Sequence, residues 1–304
     1  MTSAASAVSS RVPLEQAGRF PAALLWSVRR ELWENRWVYI APLAAAIIFL
    51  FGFLVSLITI PDRVRGAMSL PATERHAALL EPYMLAALLI MGAGVVVGIF
   101  YSLEALYAER RDRSILFWKS LPVSDVTTVL AKASIPLVVL PLLTTAAAVA
   151  VHILMLLLSS VMLWMGGLSV AVLWQEVAPV RLALTLLYHM VTVHALWYAP
   201  IFAWLLLASS WARRAPFLWA GIPLFAIAVV EKVAFDSERF LAMLQYRLVG
   251  GPETLAGSSE MPIDPLTHIT PGVFLSSPGL WIGLALTALF LAAAVRIRRN
   301  RAPA

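Results

Sequence analysis

The sequence predicts an all-α integral membrane protein of about six transmembrane helices, with an N-terminal amphipathic interfacial helix and a short cytoplasmic helix between the second and third spans. Three observations lead there. Of 304 residues, 61% are hydrophobic and only 13% charged, with mean hydropathy +0.84. A soluble domain is nearer half apolar and a quarter charged. The apolar residues fall in runs of the length a bilayer needs, about 20 residues each. Finally, the basic residues sit between these runs. A net charge of +6 and a pI near 10 therefore point to a membrane surface and not to nucleic acid.

The runs are Val38 to Ile60, Tyr83 to Leu103, Ala133 to Leu158, Leu182 to Leu207, Pro216 to Val233 and Leu280 to Val295. The stretch Val161 to Trp174 is apolar but interrupted by Gly166 and Gly167. It reads as an interfacial or re-entrant piece, with a seventh span as the alternative. Residues 1–18 read as a disordered tail, and 19–304 as one membrane domain. The first apolar run starts too late and is too long for a signal peptide.

Arg19 to Arg36 reads as an amphipathic helix lying on the membrane. Leu25, Val28 and Leu32 fall on one face; Ser27, Arg30, Glu31 and Glu34 fall on the other. Trp26, Trp33 and Trp37 suit the headgroup layer.

Orientation follows from Lys and Arg. Sixteen of the 23 lie in the N-terminal segment, the 104–132 loop, Arg213 with Arg214, and the C-terminal tail; seven lie on the other side. Both termini are then cytoplasmic, in a bacterial inner membrane, and the number of spans is even. Two connections exceed what a hairpin needs: 104–132 inside, and 234–278 outside. The outer one contains a possible amphipathic helix, Glu238 to Leu248. Long connections in compact proteins tend to be functional.

Catalytic motifs are missing. There is no G-x-x-x-x-G-K-[ST], H-E-x-x-H or G-x-S-x-G, and no cysteine. ATP hydrolysis, membrane proteolysis and thiol chemistry are therefore not expected, and no metal site or bound cofactor is predicted. Within the spans, His152, His189 and His194 are candidates for the polar lining of a substrate path, or for ordinary bundle-stabilising histidines. Gly94 and Gly98 form G-x-x-x-G, which suits close helix packing within the chain or at a dimer seam.

The 104–132 loop is the informative stretch. A charge cluster, Glu109, Arg110, Arg111, Asp112 and Arg113, precedes an apolar patch, Ile115, Leu116, Phe117 and Trp118. A break follows at Leu121, Pro122, Val123 and Ser124, and then a new helix capped by Ser124. An apolar patch ringed by charge reads as a docking surface. A helix lying flat on lipid is the other reading.

Here the chain resembles the permease subunit of type-2 ATP-binding-cassette (ABC) transporters. The resemblance rests on Glu109 at the end of the second span, Leu116, the Leu121-Pro122-Val123-Ser124 break and Lys132 entering the third span. Span number, N-terminal helix and long outer loop extend it over most of the chain. It departs in lacking the cysteine pairs that some eukaryotic relatives carry in that loop. The resemblance implies a coupling helix that docks a separate ATPase, with Leu116, Phe117 and Trp118 as anchors, Glu109, Arg111 and Arg113 around them, and Leu121 and Pro122 setting the turn. It implies two ATPase copies carrying ATP and Mg, and a second permease copy or close relative. It also implies alternating access for a hydrophobic or amphipathic substrate. A secondary, ion-coupled transporter and a non-transporting sensor or assembly subunit are the alternatives.

Overall fold

The structure, a computed structural model, describes residues 14–112, 123–249 and 271–300. All regular elements among them are helical, and six runs are long and apolar enough to cross a membrane: Trp37–Met68, Ala72–Arg111, Asp125–Met165, Val170–Trp197, Pro216–Phe235 and Pro278–Asn300. The protein is thus an all-α, multi-pass membrane protein.

Helix α1 (Leu14–Glu34) leads into α2 (Trp37–Ser56), which continues through a 3-10 turn into α3 (Ile60–Met68). Helix α4 (Ala72–Glu104) is the central one, packing on α2, on α7 and on α10. At 33 residues it is about 50 Å long, well over a bilayer's apolar thickness. After α5 (Tyr107–Arg111), the chain resumes in α6 (Asp125–Ser134), a π-helical segment Ile135–Val139, and α7 (Leu140–Met165). Then come α8 (Val170–Val177), α9 (Pro179–His189), a second π-helical segment Met190–Trp197, and α10 (Ala199–Trp211). Helices α11 (Pro216–Phe235), α12 (Arg239–Val249), α13 (Pro271–Ser276) and α14 (Pro278–Asn300) complete the fold.

The prolines explain the first π segment. Pro136 has no N–H, and the Leu140 N–H donates five residues back to the Ile135 carbonyl. Pro141 lacks the N–H that would reach the Pro136 carbonyl in the next π turn. The two π segments pack against each other, so both spans deviate from α geometry at one place.

Two expectations about boundaries change. The 161–174 stretch divides: α7 extends to Met165, Gly166 and Gly167 turn the chain with Gly167 at φ +67°, and α8 has only eight residues. Eight residues reach about 12 Å, too short for a seventh span. The fourth run is also not one straight helix over 182–207. It turns at Ala178 (φ 41°), loosens over Met190–Trp197 and continues as α10.

The helix in the N-terminal segment begins at Leu14 instead of Arg19; residues 1–13 lie outside the described ones. Its polar face is the one that meets protein. Ser27 and Glu31 are buried, while Leu25, Trp26 and Trp33 are mostly exposed. The reason is its neighbour: α1 packs on α6, which carries Lys132, so the polar face is the one with a partner inside. Val28 and Leu32 pack at the edge against Val38, Tyr101 and Ile135. On the outer face Arg29 stacks over the Trp26 and Trp33 rings, 5.4 and 4.8 Å from their centroids.

The expected amphipathic helix in the long 234–278 connection is α12. Its N-terminus is capped by Glu231, whose carboxylate accepts from the Phe240 N–H at 2.8 Å and the Arg239 N–H at 3.1 Å. It lies against Trp197: the Trp197 Nε1–H donates to the Arg247 carbonyl at 3.1 Å and the Arg247 guanidinium sits 4.2 Å above the indole.

Candidate functional site

The site is a buried ion cluster at the end of the bundle where α1, α5, α6 and the last turn of α14 meet. Lys132 reaches both oxygens of Glu31, at 2.9 and 3.0 Å, and Glu109 Oε1 at 3.1 Å. Arg298 pairs with Glu109 and donates from Nε to Asp125 Oδ1 at 3.0 Å. The Tyr101 hydroxyl donates to Glu31 at 2.8 Å, and Arg30 donates to Glu31 at 2.9 Å. Glu31, Glu109, Lys132 and Arg298 are all buried, with Glu31 at 1% exposure.

Burying a charge costs several kcal/mol unless it is paired and hydrogen-bonded. Here two buried carboxylates face two buried cations, so this inner group is neutral. Burial alone would raise the Glu31 carboxyl, but the Lys132 ammonium and the hydrogen bonds from Lys132, Tyr101 and Arg30 outweigh it. The net position is below the ordinary carboxylate range.

Local structure holds each member. Asp125 is in the first turn of α6, whose N-terminus is capped by Ser124 accepting from the Thr127 N–H at 3.1 Å. Arg298 lies in the last turn of α14, where a cation suits the helix dipole. Ser209 Oγ accepts the first N–H groups of the α5 turn, from Leu106 and Tyr107, both at 2.9 Å. Arg110 in return donates to the Ser209 and Ala212 carbonyls at the end of α10. Helix α5 is thereby fixed to α10, and Glu109 is aimed inward.

The cluster holds both ends of one segment. Glu109 precedes residues 113–122 and Asp125 follows them, and the same arginine, Arg298, binds both. Helices α1, α5, α6 and α14, distant in sequence, are thereby joined at this end.

This changes the expected role of Glu109. It is not a rim charge: it is buried among Lys132 and Arg298, which neutralise it. Arg111 is exposed, paired with Asp112 at 3.0 Å and Glu104 at 3.6 Å. Arg113, Leu116, Phe117, Trp118, Leu121 and Pro122 lie outside the described residues.

The remaining candidates lie elsewhere. His152 Nε2 is 2.8 Å from the Tyr83 carbonyl and its ring packs edge-on to Tyr83. His194 is buried against Phe202, with the Pro136 carbonyl beside its ring. His189 is exposed. The three have separate surroundings and do not form one lining. Gly94 and Gly98 are buried inside the chain, against Thr144 of α7 and Phe202 of α10, so they serve contacts within the bundle and are unavailable as a dimer seam. Among the described residues no group of three or more His, Asp or Glu side chains is placed to hold a metal.

Sequence reading missed Glu31, Tyr101 and Arg298 as site members. Their signal was present: Tyr101 and Arg298 are polar side chains near span ends, Glu31 is on the polar face of α1, and the positive charge of Lys132 at the entry to an apolar run demanded a carboxylate. What the sequence lacks is the pairing between elements up to 189 residues apart.

No protein-family model matches this chain, and no curated protein or solved structure matches it.

Proposed function

We propose that this chain is the membrane-spanning permease subunit of an ABC-type exporter. A separate ATPase subunit drives it, and a hydrophobic or amphipathic substrate crosses the membrane by alternating access. The observation that supports this reading best is the double anchoring of 113–122 by Glu109 and Asp125 on Arg298. A segment that receives a push must be stiffly joined to what it moves. Here a load on 113–122 passes to α1, α6 and α14 through short charge-assisted bonds. Leu116, Phe117 and Trp118 would insert into a groove on the ATPase, and Arg111 would face its rim. ATP and Mg would bind on the two ATPase copies, and the complex would contain a second permease copy or close relative. The membrane would be the bacterial inner membrane, with the ion cluster and both termini in the cytoplasm.

An ion-coupled transporter fits less well, because the buried charges gather at one end and not along the spans. The deciding experiment is co-purification of the tagged full chain from native membranes with identification of its partners, repeated with Phe117→Ala/Trp118→Ala. Recovery of an ATPase that the double variant loses, with membrane insertion intact, is the expected result. No ATPase in the parent preparation would return the chain to the sensor or assembly-subunit reading.

A further inference from the structure

The first three runs and α8 of the fourth line a cavity at the end of the bundle opposite the ion cluster. Its volume is about 510 Å3, within the range of small-molecule sites. Phe53, Val64, Leu79 and Leu173 give it apolar walls, and it reaches into the apolar spans at Phe53 and Leu85. Two charged side chains, Arg63 of α3 and Glu81 of α4, also line it.

These two differ from their neighbours. At the same end Arg65 has Asp62 at 2.7 Å, Arg75 has Glu176 at 2.8 Å and Lys232 has Asp236 at 2.9 Å. Arg63 and Glu81 face one cavity without pairing, and neither has an ion pair or side-chain hydrogen bond among the described residues. One cation and one anion at the rim of an apolar space match a molecule that carries the opposite charges side by side on an apolar body.

We propose that this cavity binds a zwitterionic phospholipid with a primary amine, its phosphate on Arg63, its ammonium on Glu81 and an acyl chain along Phe53 and Leu85. Arg63 offers a planar, multi-donor guanidinium that suits phosphate. Glu81 is an acceptor for ammonium N–H groups, which a quaternary amine lacks and a glycerol headgroup replaces with weaker hydroxyls. The apolar walls favour a lipid over a soluble zwitterion, because they offer the chain a surface already excluded from water. The inference is independent of any ATPase partner, since binding is read on this chain alone.

The test is native mass spectrometry of the purified full chain in mild detergent, titrated with phosphatidylethanolamine, phosphatidylcholine and phosphatidylglycerol. We expect one retained phosphatidylethanolamine, bound about tenfold more tightly than the other two. Glu81→Gln should abolish that preference, Arg63→Gln should weaken all three lipids, and Arg63→Lys should restore much of the binding. Both sites are exposed, so the variants should unfold at the parent's temperature, measured in parallel. Equal binding of the three lipids by the parent, or unchanged binding in both neutral variants, would overturn the proposal. Displacement of the lipid by soluble glycerophosphoethanolamine at comparable concentration would overturn the choice of a lipid.

Discussion

The guanidinium of Arg247 lies directly on Gly283, in space that any larger residue would occupy. Its Nη1 donates to the Gly279 carbonyl at 3.2 Å while the charge rests on the Trp197 ring. Gly283 precedes Arg298 by 15 residues, about 22 Å along α14. Helix α12 therefore brings an arginine against the apolar part of the last span. Burial holds this guanidinium below its ordinary value. Gly283→Ala should expel Arg247 and lose a cation–π contact of roughly 2 kcal/mol. Arg247→Ala should lose a similar amount, and the double variant little more than either. Thermal unfolding of the four proteins as a double-mutant cycle checks this; additive losses would show the two residues to be uncoupled.

The ion cluster carries a pH dependence with a definite sign. The folded Glu31 carboxyl sits below its ordinary value of about 4.5, so its contribution is fully present above that pH and is lost as pH falls further toward the folded value. Glu31→Gln should cost roughly 3 kcal/mol near neutral pH, because Lys132 keeps only part of its compensation. The same variant should show a flatter acid limb. Unfolding temperatures from about pH 7 to about pH 3 measure both effects.

The second span offers an internal control. A methyl group on Gly94 would press on Thr144 Cγ2, and one on Gly98 on the Phe202 ring, whereas around Gly92 nothing lies within 4 Å of the added carbon. Gly94→Ala and Gly98→Ala should each cost about 1–3 kcal/mol through overpacking. Gly92→Ala should be neutral or slightly stabilising, since alanine is the better helix former. Equal losses at all three positions would overturn the crowding argument, since helix propensity alone favours alanine at each.

The absence of cysteine makes topology directly measurable with single introduced thiols. Arg36→Cys, beside the ion cluster, and Asp236→Cys, between α11 and α12, are both exposed. An impermeant maleimide applied to intact cells should label Asp236→Cys only. Labelling of both from the same side would overturn the assignment of the ion cluster to the cytoplasm.

The large features were legible because they depend on local composition. Runs of about 20 apolar residues must become helices, since lipid satisfies no backbone hydrogen bond. The amphipathic period of 238–248 sufficed to place α12 to within one residue at each end. What meets the polar face of α1 was not legible, because the periodicity identifies that face without saying whether water or Lys132 will meet it. Glu109 looked like a surface charge for the same reason: its neutralising partner, Arg298, lies 189 positions away. The first π segment depends on which donors Pro136 and Pro141 remove, and the second packs against it only once both helices are in place.

The ion cluster also imposes an order on biosynthesis. A chain emerging from the ribosome presents Glu31 first, Glu109 next, then Asp125 and Lys132, and Arg298 only 189 positions after Glu109. Until that final turn appears, two carboxylates that flank 113–122 lack the arginine that binds them both. A nascent chain can insert its earlier spans but cannot close this end until α14 has been made. Maturation of this end of the bundle is then timed by α14, and a product that stops before Arg298 would leave Glu109 and Asp125 without the arginine they share.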